Sequence, residues 1–177
     1  MADTDPSLLP PIADCDAPGR EAGLSHEDHQ AVRLWLRLLT CSAEIEQVIR
    51  NRLRTQFGTT LPRFDYLAQL ARFPDGLRMK TLSEYLMVTG GNITGLTDQL
   101  VAEGWVERVG DPQDRRSTIV RMTEQGQTQF SAMAEAHELW LEQLLAPLGQ
   151  ARAHHLYYQL GLLRQTLLET KEGLLPP

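Results

Sequence analysis

Apolar residues recur at helical spacing along most of the chain and predict a series of long and short helices. The first pattern opens at Ser25-His-Glu-Asp28, which resembles a capping box, and ends before Gly58. It is apolar on more than one face, so we expect it to contact more than one neighbour, with a second subunit as a candidate. Three shorter helices are predicted next, from Pro62 to before Pro74, from a capping box at Thr81 to near Met87, and from Thr89 or Gly90 to before Gly104. Two long helices follow, one from an N-cap at Thr123 to before Gly149 and one after Gly149.

Two short β-like runs interrupt the helical pattern and predict a hairpin. The runs are Trp105–Val109 and Thr118–Met122, and the polar tip between them contains Gly110, Asp111-Pro112 and two adjacent arginines. Gly and Pro are turn residues because Gly tolerates positive φ and Pro fixes φ. Two short helices followed by an arginine-tipped hairpin are the arrangement found in a winged helix, which indicates a DNA-binding protein.

The predicted fold is therefore mainly α with a small β-hairpin wing. It is a winged helix-turn-helix with an N- and C-terminal helical dimerisation region. We expect residues 1–24 to form a flexible, acidic, Pro-rich leader. Residues 25–61 and 123–177 then form the dimerisation region, and residues 62–122 the DNA-binding domain.

A formal net charge of −6 at first argues against a nucleic-acid partner. Its distribution removes the objection, because residues 1–29 hold seven acidic side chains against one basic side chain, Arg20. The remainder of the chain holds 16 Lys and Arg against 16 Asp and Glu. A neutral body with basic clusters at Arg50, Arg52 and Arg54 and at Arg115-Arg116 is compatible with DNA binding.

Several classes of protein are disfavoured by simple features of the sequence. No apolar run approaches the roughly 20 residues that a membrane-spanning helix requires, and no signal-peptide pattern opens the chain. Cys15 and Cys41 are too few for a disulfide framework. We therefore expect a cytoplasmic protein with no membrane partner.

Four segments carry a resemblance to a known family. They are Leu82-Ser-Glu-Tyr-Leu86, Gly91-Asn-Ile-Thr94, Leu100-Val-Ala-Glu-Gly-Trp-Val-Glu-Arg108 and Asp111-Pro-Gln-Asp-Arg-Arg-Ser117. Together they resemble the MarR family of transcriptional regulators, over roughly residues 30–170. The resemblance implies a homodimeric repressor that binds palindromic double-stranded DNA and is released by a small, often aromatic, ligand.

The helix that starts near Thr89 is the predicted recognition helix. Its small first turn would let backbone N–H groups approach phosphates. Asn92 could pair with adenine, and Thr94 could contact phosphate or a thymine methyl group. Many sequences of the family have a basic residue where Gly95 stands, so Gln99 is a further candidate for base contact. The predicted contacts in this helix are Thr89, Gly90, Gly91, Asn92, Thr94 and Gln99. The alternative is that Gly90 and Gly91 form only a turn and a cap.

The wing is expected to add a second set of DNA contacts. Arg116 would enter the minor groove, where a narrow A·T-rich groove attracts a guanidinium group. Asp114 would orient it by a charge-assisted hydrogen bond, and Arg115 would contact phosphate or a neighbouring element. The alternative is a solvated surface.

The family resemblance also implies a ligand pocket lined from the first, second and fifth helices. A carboxylate-bearing aromatic ligand needs a cation or donor beside an apolar slot. Arg33 and Arg63 are the candidate cations, with His29, Trp35 and Tyr66 as neighbours. For both arginines the alternative is a solvent-facing charge or an ion pair with Asp65 or Glu46.

Three segments resemble a MarR subgroup that controls aromatic-acid catabolism, namely Arg33-Leu-Trp-Leu-Arg-Leu-Leu-Thr40, Leu61-Pro-Arg-Phe-Asp65 and Gly91-Asn-Ile-Thr-Gly-Leu96. The implied effector is an aromatic carboxylate or its CoA thioester. The phosphates of a CoA group would need further basic surface, which Arg50, Arg52 and Arg54 could supply. The same three arginines could equally contact the DNA backbone.

Catalytic and metal-binding patterns are missing from the sequence. It contains no Walker loop, GxGxxG, GxSxG or HExxH motif, so we expect no enzyme, cofactor or catalytic residue. His26 and His29 are a weak pattern for a metal, and Cys15 lies between two acids that oppose ionisation of its thiol. The remaining alternatives are a redox-sensing or constitutive winged-helix regulator and a winged-helix module that binds protein.

Overall fold

The structure, a computed structural model, describes residues 29–86, 90–110 and 117–174. The predicted leader, the capping box at Ser25 and the tip of the hairpin lie outside these residues. The chain divides after Val48 into two units, which are described separately.

The helices are α1 (Gln30–Phe57), α2 (Leu61–Ala71), α3 (Met79–Tyr85), α4 (Gly90–Ala102), α5 (Glu124–Leu145) and α6 (Gln150–Leu174), with a short 3-10 turn at Ala146–Leu148. The strands are β1 (Leu77–Arg78), β2 (Val106–Gly110) and β3 (Thr118–Met122).

The predicted order of helices and hairpin is confirmed, and local sequence signals explain where several elements begin or end. Gly58 and Gly104 follow α1 and α4 with φ of +61° and +74°, values that favour glycine. Pro62 lies in the first turn of α2, where its missing N–H is not needed. The Thr123 hydroxyl accepts a hydrogen bond from the Gly126 N–H at 3.0 Å, which caps α5 as predicted.

The predicted capping box at Thr81 is wrong, because α3 already begins at Met79. The reason is a short strand that the sequence pattern does not reveal. Leu77 and Arg78 pair antiparallel with Val120 and Ile119, and the chain passes from this strand directly into the helix. The predicted hairpin is therefore part of a three-stranded sheet in the order β1-β3-β2. Its strand β2 starts one residue later than expected, at Val106.

The core of the second unit joins the sheet to α2, α3, α4 and α5. Leu67, Leu82, Leu100 and Val120 have no exposed surface, so one apolar cluster holds the helix pair against the sheet. The helix α5 contributes further buried apolar side chains, Met133 and Trp140. Aromatic contacts extend this packing, with ring centroids of Phe64 and Phe130 at 5.7 Å, of Phe64 and His137 at 4.8 Å, and of Phe57 and Trp140 at 6.1 Å. Burial lowers the pKa of His137, which favours its neutral form in this cluster.

In the first unit, the described part of α1 keeps large apolar side chains exposed, among them Val32, Leu34 and Trp35. The Thr40 hydroxyl donates to the Leu36 carbonyl at 3.0 Å, within the same helix. None of the helices described here is long and apolar enough to cross a lipid bilayer.

Candidate nucleic-acid interface

The helix α4 has one buried and one exposed face, and the division follows from its sequence. Ile93, Thr97 and Leu100 recur at spacings of four and three residues and are buried. Asn92 and Gln99 lie outside this buried stripe and are exposed. The apolar positions therefore fix the rotation of the helix, and its polar face is directed towards solvent.

A buried hydrogen-bond network attaches α4 to α2. The hydroxyls of Tyr66 and Thr97 lie 2.7 Å apart, and the Thr97 hydroxyl also lies 2.7 Å from the Ile93 carbonyl. Burial raises the pKa of Tyr66 to about 12, so its hydroxyl stays protonated at physiological pH. Sequence reasoning missed Thr97, although a polar residue on the apolar face of a helix was a visible signal.

Two ion pairs set the charge around α4 and the wing. Asp98 is on the exposed side of α4, where a carboxylate would repel phosphate, and it pairs with Arg108 of β2 at 2.6 Å. Glu107 and Arg121 face each other across β2 and β3 and pair at 2.6 Å. The Asp98 pair reduces the negative potential of the exposed face and connects the helix to the wing.

A groove of about 490 Å³ runs beside the exposed face of α4. It is lined by Pro62, Asp65, Leu86, Asn92, Gly95, Leu96 and Gln99. Gly95 has open space at the position that a side chain would occupy, because only its own stretch of helix lies within 4 Å of that position. The small residue therefore leaves room on the face that the sequence predicts to contact DNA.

The described residues include most of the predicted contacts in the recognition helix. Gly90 and Gly91 form the first turn of α4, and Asn92, Thr94 and Gln99 are exposed. Asn92 and Gln99 are two helical turns apart and line the same groove. The other predicted contacts lie outside the described residues, namely Thr89, Asp114, Arg115 and Arg116.

The predicted ligand residues fall into both units. In the first unit, His29 and Trp35 are exposed and Arg33 is half-buried. In the second unit, Tyr66 has no exposed surface and uses its hydroxyl in the network with Thr97. The role of all five residues in ligand binding stays a prediction.

Arg63 is the predicted ligand residue with the most distinctive surroundings. Its guanidinium group pairs with Glu103 and lies 4.9 Å from the centroid of the Trp105 ring. The side chain is only 15% exposed, and its buried Nε has no hydrogen-bond partner. Sequence reasoning missed Glu103 and Trp105, because each is at least 40 residues from Arg63 along the chain.

The structure also places residues that were considered for other chemistry. Cys41 is exposed on α1, whereas Cys15 and His26 lie outside the described residues. Within the described ranges, no group of three or more His, Cys, Asp or Glu side chains is arranged to hold a metal ion.

Comparisons with known proteins agree with this geometry. The sequence profile of the MarR family matches residues 57–117, which include the helices α2 to α4 and the strand β2 of the wing. The transcriptional activatory protein BadR of Rhodopseudomonas palustris is 32% identical over 107 residues, or 59% of this chain. The match spans 61% of the length of BadR.

Solved structures extend the similarity over most of the chain. A MarR family transcriptional regulator from Silicibacter pomeroyi is 33% identical, with a TM-score of 0.67, over 81% of this chain and 99% of that protein. Sco3205 of Streptomyces coelicolor, a MarR family regulator solved in complex with DNA, has a TM-score of 0.68 over 88% of this chain and 94% of its own. Its identity of 20% supports the fold alone.

Proposed function

The chain belongs to the MarR family of DNA-binding transcriptional regulators, and we propose that it is a homodimeric repressor of genes for aromatic-compound catabolism. In this proposal residues 62–122 bind a palindromic operator. Residues 25–61 and 123–177 form the dimerisation region. An aromatic carboxylate or its CoA thioester releases the repressor from DNA.

The observation that carries the proposal is the exposed polar face of α4 beside the wing. Asn92 and Gln99 are solvent-accessible on one side of a helix whose other side is buried in the core. A helix held in this way can enter the major groove, where amide side chains distinguish adenine from the other bases. We infer that these two residues contact bases and that the first turn at Gly90-Gly91 contacts phosphate.

The proposal of a homodimer is supported by the apolar surface of α6. In the single chain this helix exposes many large side chains, which are Leu156, Tyr157, Tyr158, Leu160, Leu162, Leu167 and Leu168. Large apolar side chains exposed in such number along one helix favour an interface over a solvated surface. A dimer would also present two recognition helices to two half-sites about one helical turn apart.

The proposal of an aromatic effector is supported by the surroundings of Arg63. A guanidinium group beside the Trp105 ring combines a cation with an apolar surface, which suits an aromatic carboxylate. A ligand carboxylate would compete with Glu103 for Arg63. Arg33 is the second proposed cation. Release of the repressor then follows if the ligand binds preferentially to a conformation that fits DNA poorly.

The effector is tested by adding candidate aromatic acids and their CoA thioesters to a complex of the protein with a palindrome from beside its own gene. A repressor of the proposed type loses DNA affinity with one of these classes, and Arg63→Gln should require more ligand for the same loss. The relative BadR carries the name of an activator, so transcription is measured in the same experiment. An unchanged DNA affinity with every candidate would instead favour a constitutive or redox-sensing regulator, with the exposed Cys41 as the first thiol to test.

A basic residue at position 95 is expected to strengthen DNA binding. In Gly95→Lys the side chain enters open space on the exposed face of α4, so it adds a cation without displacing the core. We expect affinity for the operator to rise about three- to tenfold at low salt. The logarithm of the affinity should also fall more steeply with the logarithm of the salt concentration, by the amount that one further phosphate contact adds to the slope.

The matched control is Gly95→Ala, which removes the glycine without adding charge. Both variants should stabilise the helix by up to about 1 kcal/mol, because glycine is a poor helix former. Only the lysine variant should gain DNA affinity. If both variants bind DNA like the parent protein, position 95 does not face the nucleic acid.

A further inference from the structure

The corner between α1 and α2 contains a pocket of about 300 Å³, lined in part by two of the three arginines that the sequence offered for CoA phosphates or for the DNA backbone. Arg50 and Arg54 are one helical turn apart, so they lie on the same face of α1. Arg52 is directed elsewhere, since its guanidinium group lies 5.8 Å from the Trp140 ring and donates to Gln143 at 3.1 Å. The basic cluster in the sequence is thus divided by the fold. The pocket is lined by Arg50, Asn51, Arg54, Thr59, Thr60, Leu61 and Pro62.

The Thr59 hydroxyl is an unsatisfied polar group in this lining. Thr59 is only 2% exposed, and its Oγ1 is buried without a hydrogen-bond partner. A buried hydroxyl of this kind destabilises a protein unless a ligand or another group bonds to it. Its position beside two guanidinium groups suggests a ligand that accepts hydrogen bonds.

The first turn of α2 forms another side of the pocket. This helix has eleven residues, and its N-cap residue Thr60 makes no side-chain capping bond. The N-terminus of a helix carries a partial positive charge from its backbone N–H groups and favours anions. Two arginines, an unpaired hydroxyl and a helix N-terminus therefore meet at one place, and the pocket lining includes no carboxylate.

We propose that this corner binds a phosphate-type oxyanion, either free phosphate or the phosphate monoester of a small molecule. Arg50 and Arg54 would donate charge-assisted hydrogen bonds to its oxygens. The Thr59 hydroxyl would donate a further hydrogen bond, and the first turn of α2 would face the negative charge. All the residues that line the site belong to one chain. Phosphate binding can therefore be measured without DNA and independently of the proposed operator.

The test is a calorimetric titration of the full chain, without DNA, with inorganic phosphate at constant ionic strength. Parallel titrations use adenosine 3′-phosphate and adenosine. We expect saturable phosphate binding, and Arg54→Gln should weaken it about tenfold, as for the loss of a charge-assisted hydrogen bond. Tighter binding of adenosine 3′-phosphate than of inorganic phosphate, with none of adenosine, identifies a monoester site. The reverse order identifies a site for free phosphate.

Two further variants make the result specific. Thr59→Val should weaken phosphate binding and leave the unfolding midpoint unchanged or higher, because it removes an unsatisfied hydroxyl. Arg72→Gln, which removes a charge at the other end of α2, should bind phosphate like the parent protein. The proposal is overturned if phosphate binding is not saturable, or if Arg54→Gln and Thr59→Val bind as tightly as the parent. Absence of phosphate binding together with weaker duplex DNA binding by Arg54→Gln would also overturn it and assign the corner to the DNA backbone.

Discussion

Gly126→Ala is expected to destabilise the fold strongly. Gly126 is buried in the first turn of α5, where a Cβ would overlap the carbonyl oxygen of Trp105 and lie 2.8 Å from its carbonyl carbon and 2.9 Å from Met122 Cγ. The Trp105 carbonyl cannot easily move, because it accepts a hydrogen bond from the Thr123 N–H at 3.0 Å, and the Thr123 hydroxyl donates to the neighbouring Gly104 carbonyl at 2.6 Å. Overpacking against fixed backbone should lower the free energy of unfolding by about 3 kcal/mol.

The measurement is equilibrium unfolding in urea, with Gly95→Ala as the matched control. Both positions are helical glycines, but only position 95 has open space around it. We expect the midpoint to fall for Gly126→Ala and to stay the same or rise for Gly95→Ala. Equal midpoints for Gly126→Ala and the parent protein would show that α5 does not pack on the base of the wing as described.

Loss of the wing arginine is expected to have the largest effect on DNA binding. Arg116 lies in residues 111–116, outside the described residues, but the strands on either side pair up to Gly110 and Thr118. A guanidinium group carried by such a hairpin can reach the minor groove, where the negative potential is strongest in A·T-rich sequence. We expect Arg116→Ala to weaken operator binding at least about tenfold at fixed salt.

Two other variants test the assignment. Asp114→Asn should have a smaller effect in the same direction, because it removes only the residue proposed to orient the arginine. Arg152→Ala, which removes an exposed cation from α6, should leave DNA affinity unchanged. Unchanged affinity in Arg116→Ala, or an equal loss in Arg152→Ala, would refute the proposed role of the wing.

Local patterns in the sequence predicted most of the fold. The element order and several boundaries follow from helical periodicity, from Gly58 and Gly104, and from the Thr123 cap. Each of these signals depends on residues only a few positions apart in the sequence. The strand β1 could not be found in this way. It has only two residues, and it exists because Leu77 and Arg78 pair with a strand more than 40 residues later.

In the candidate site, too, local patterns were predictable from the sequence and contacts between distant residues were not. The exposed positions of Asn92 and Gln99 follow from the apolar spacing of α4 and were predictable. The Tyr66–Thr97 network and the Arg63–Glu103 pair join residues 31 and 40 positions apart, so only the folded chain reveals them. The arginine cluster of α1 shows the same limit, since sequence spacing did not indicate that Arg52 packs on Trp140 while Arg50 and Arg54 line a pocket.

The central claim, that this chain is a sequence-specific DNA-binding regulator, is tested most directly by fluorescence anisotropy with a labelled palindrome from beside its own gene. A duplex of the same composition in scrambled order serves as the reference, and both are titrated over a range of salt concentrations. We expect tighter binding to the palindrome at every salt concentration, with an affinity that falls steeply as salt rises because phosphate contacts release counterions. Equal binding to the two duplexes, or no binding at low salt, would contradict the account.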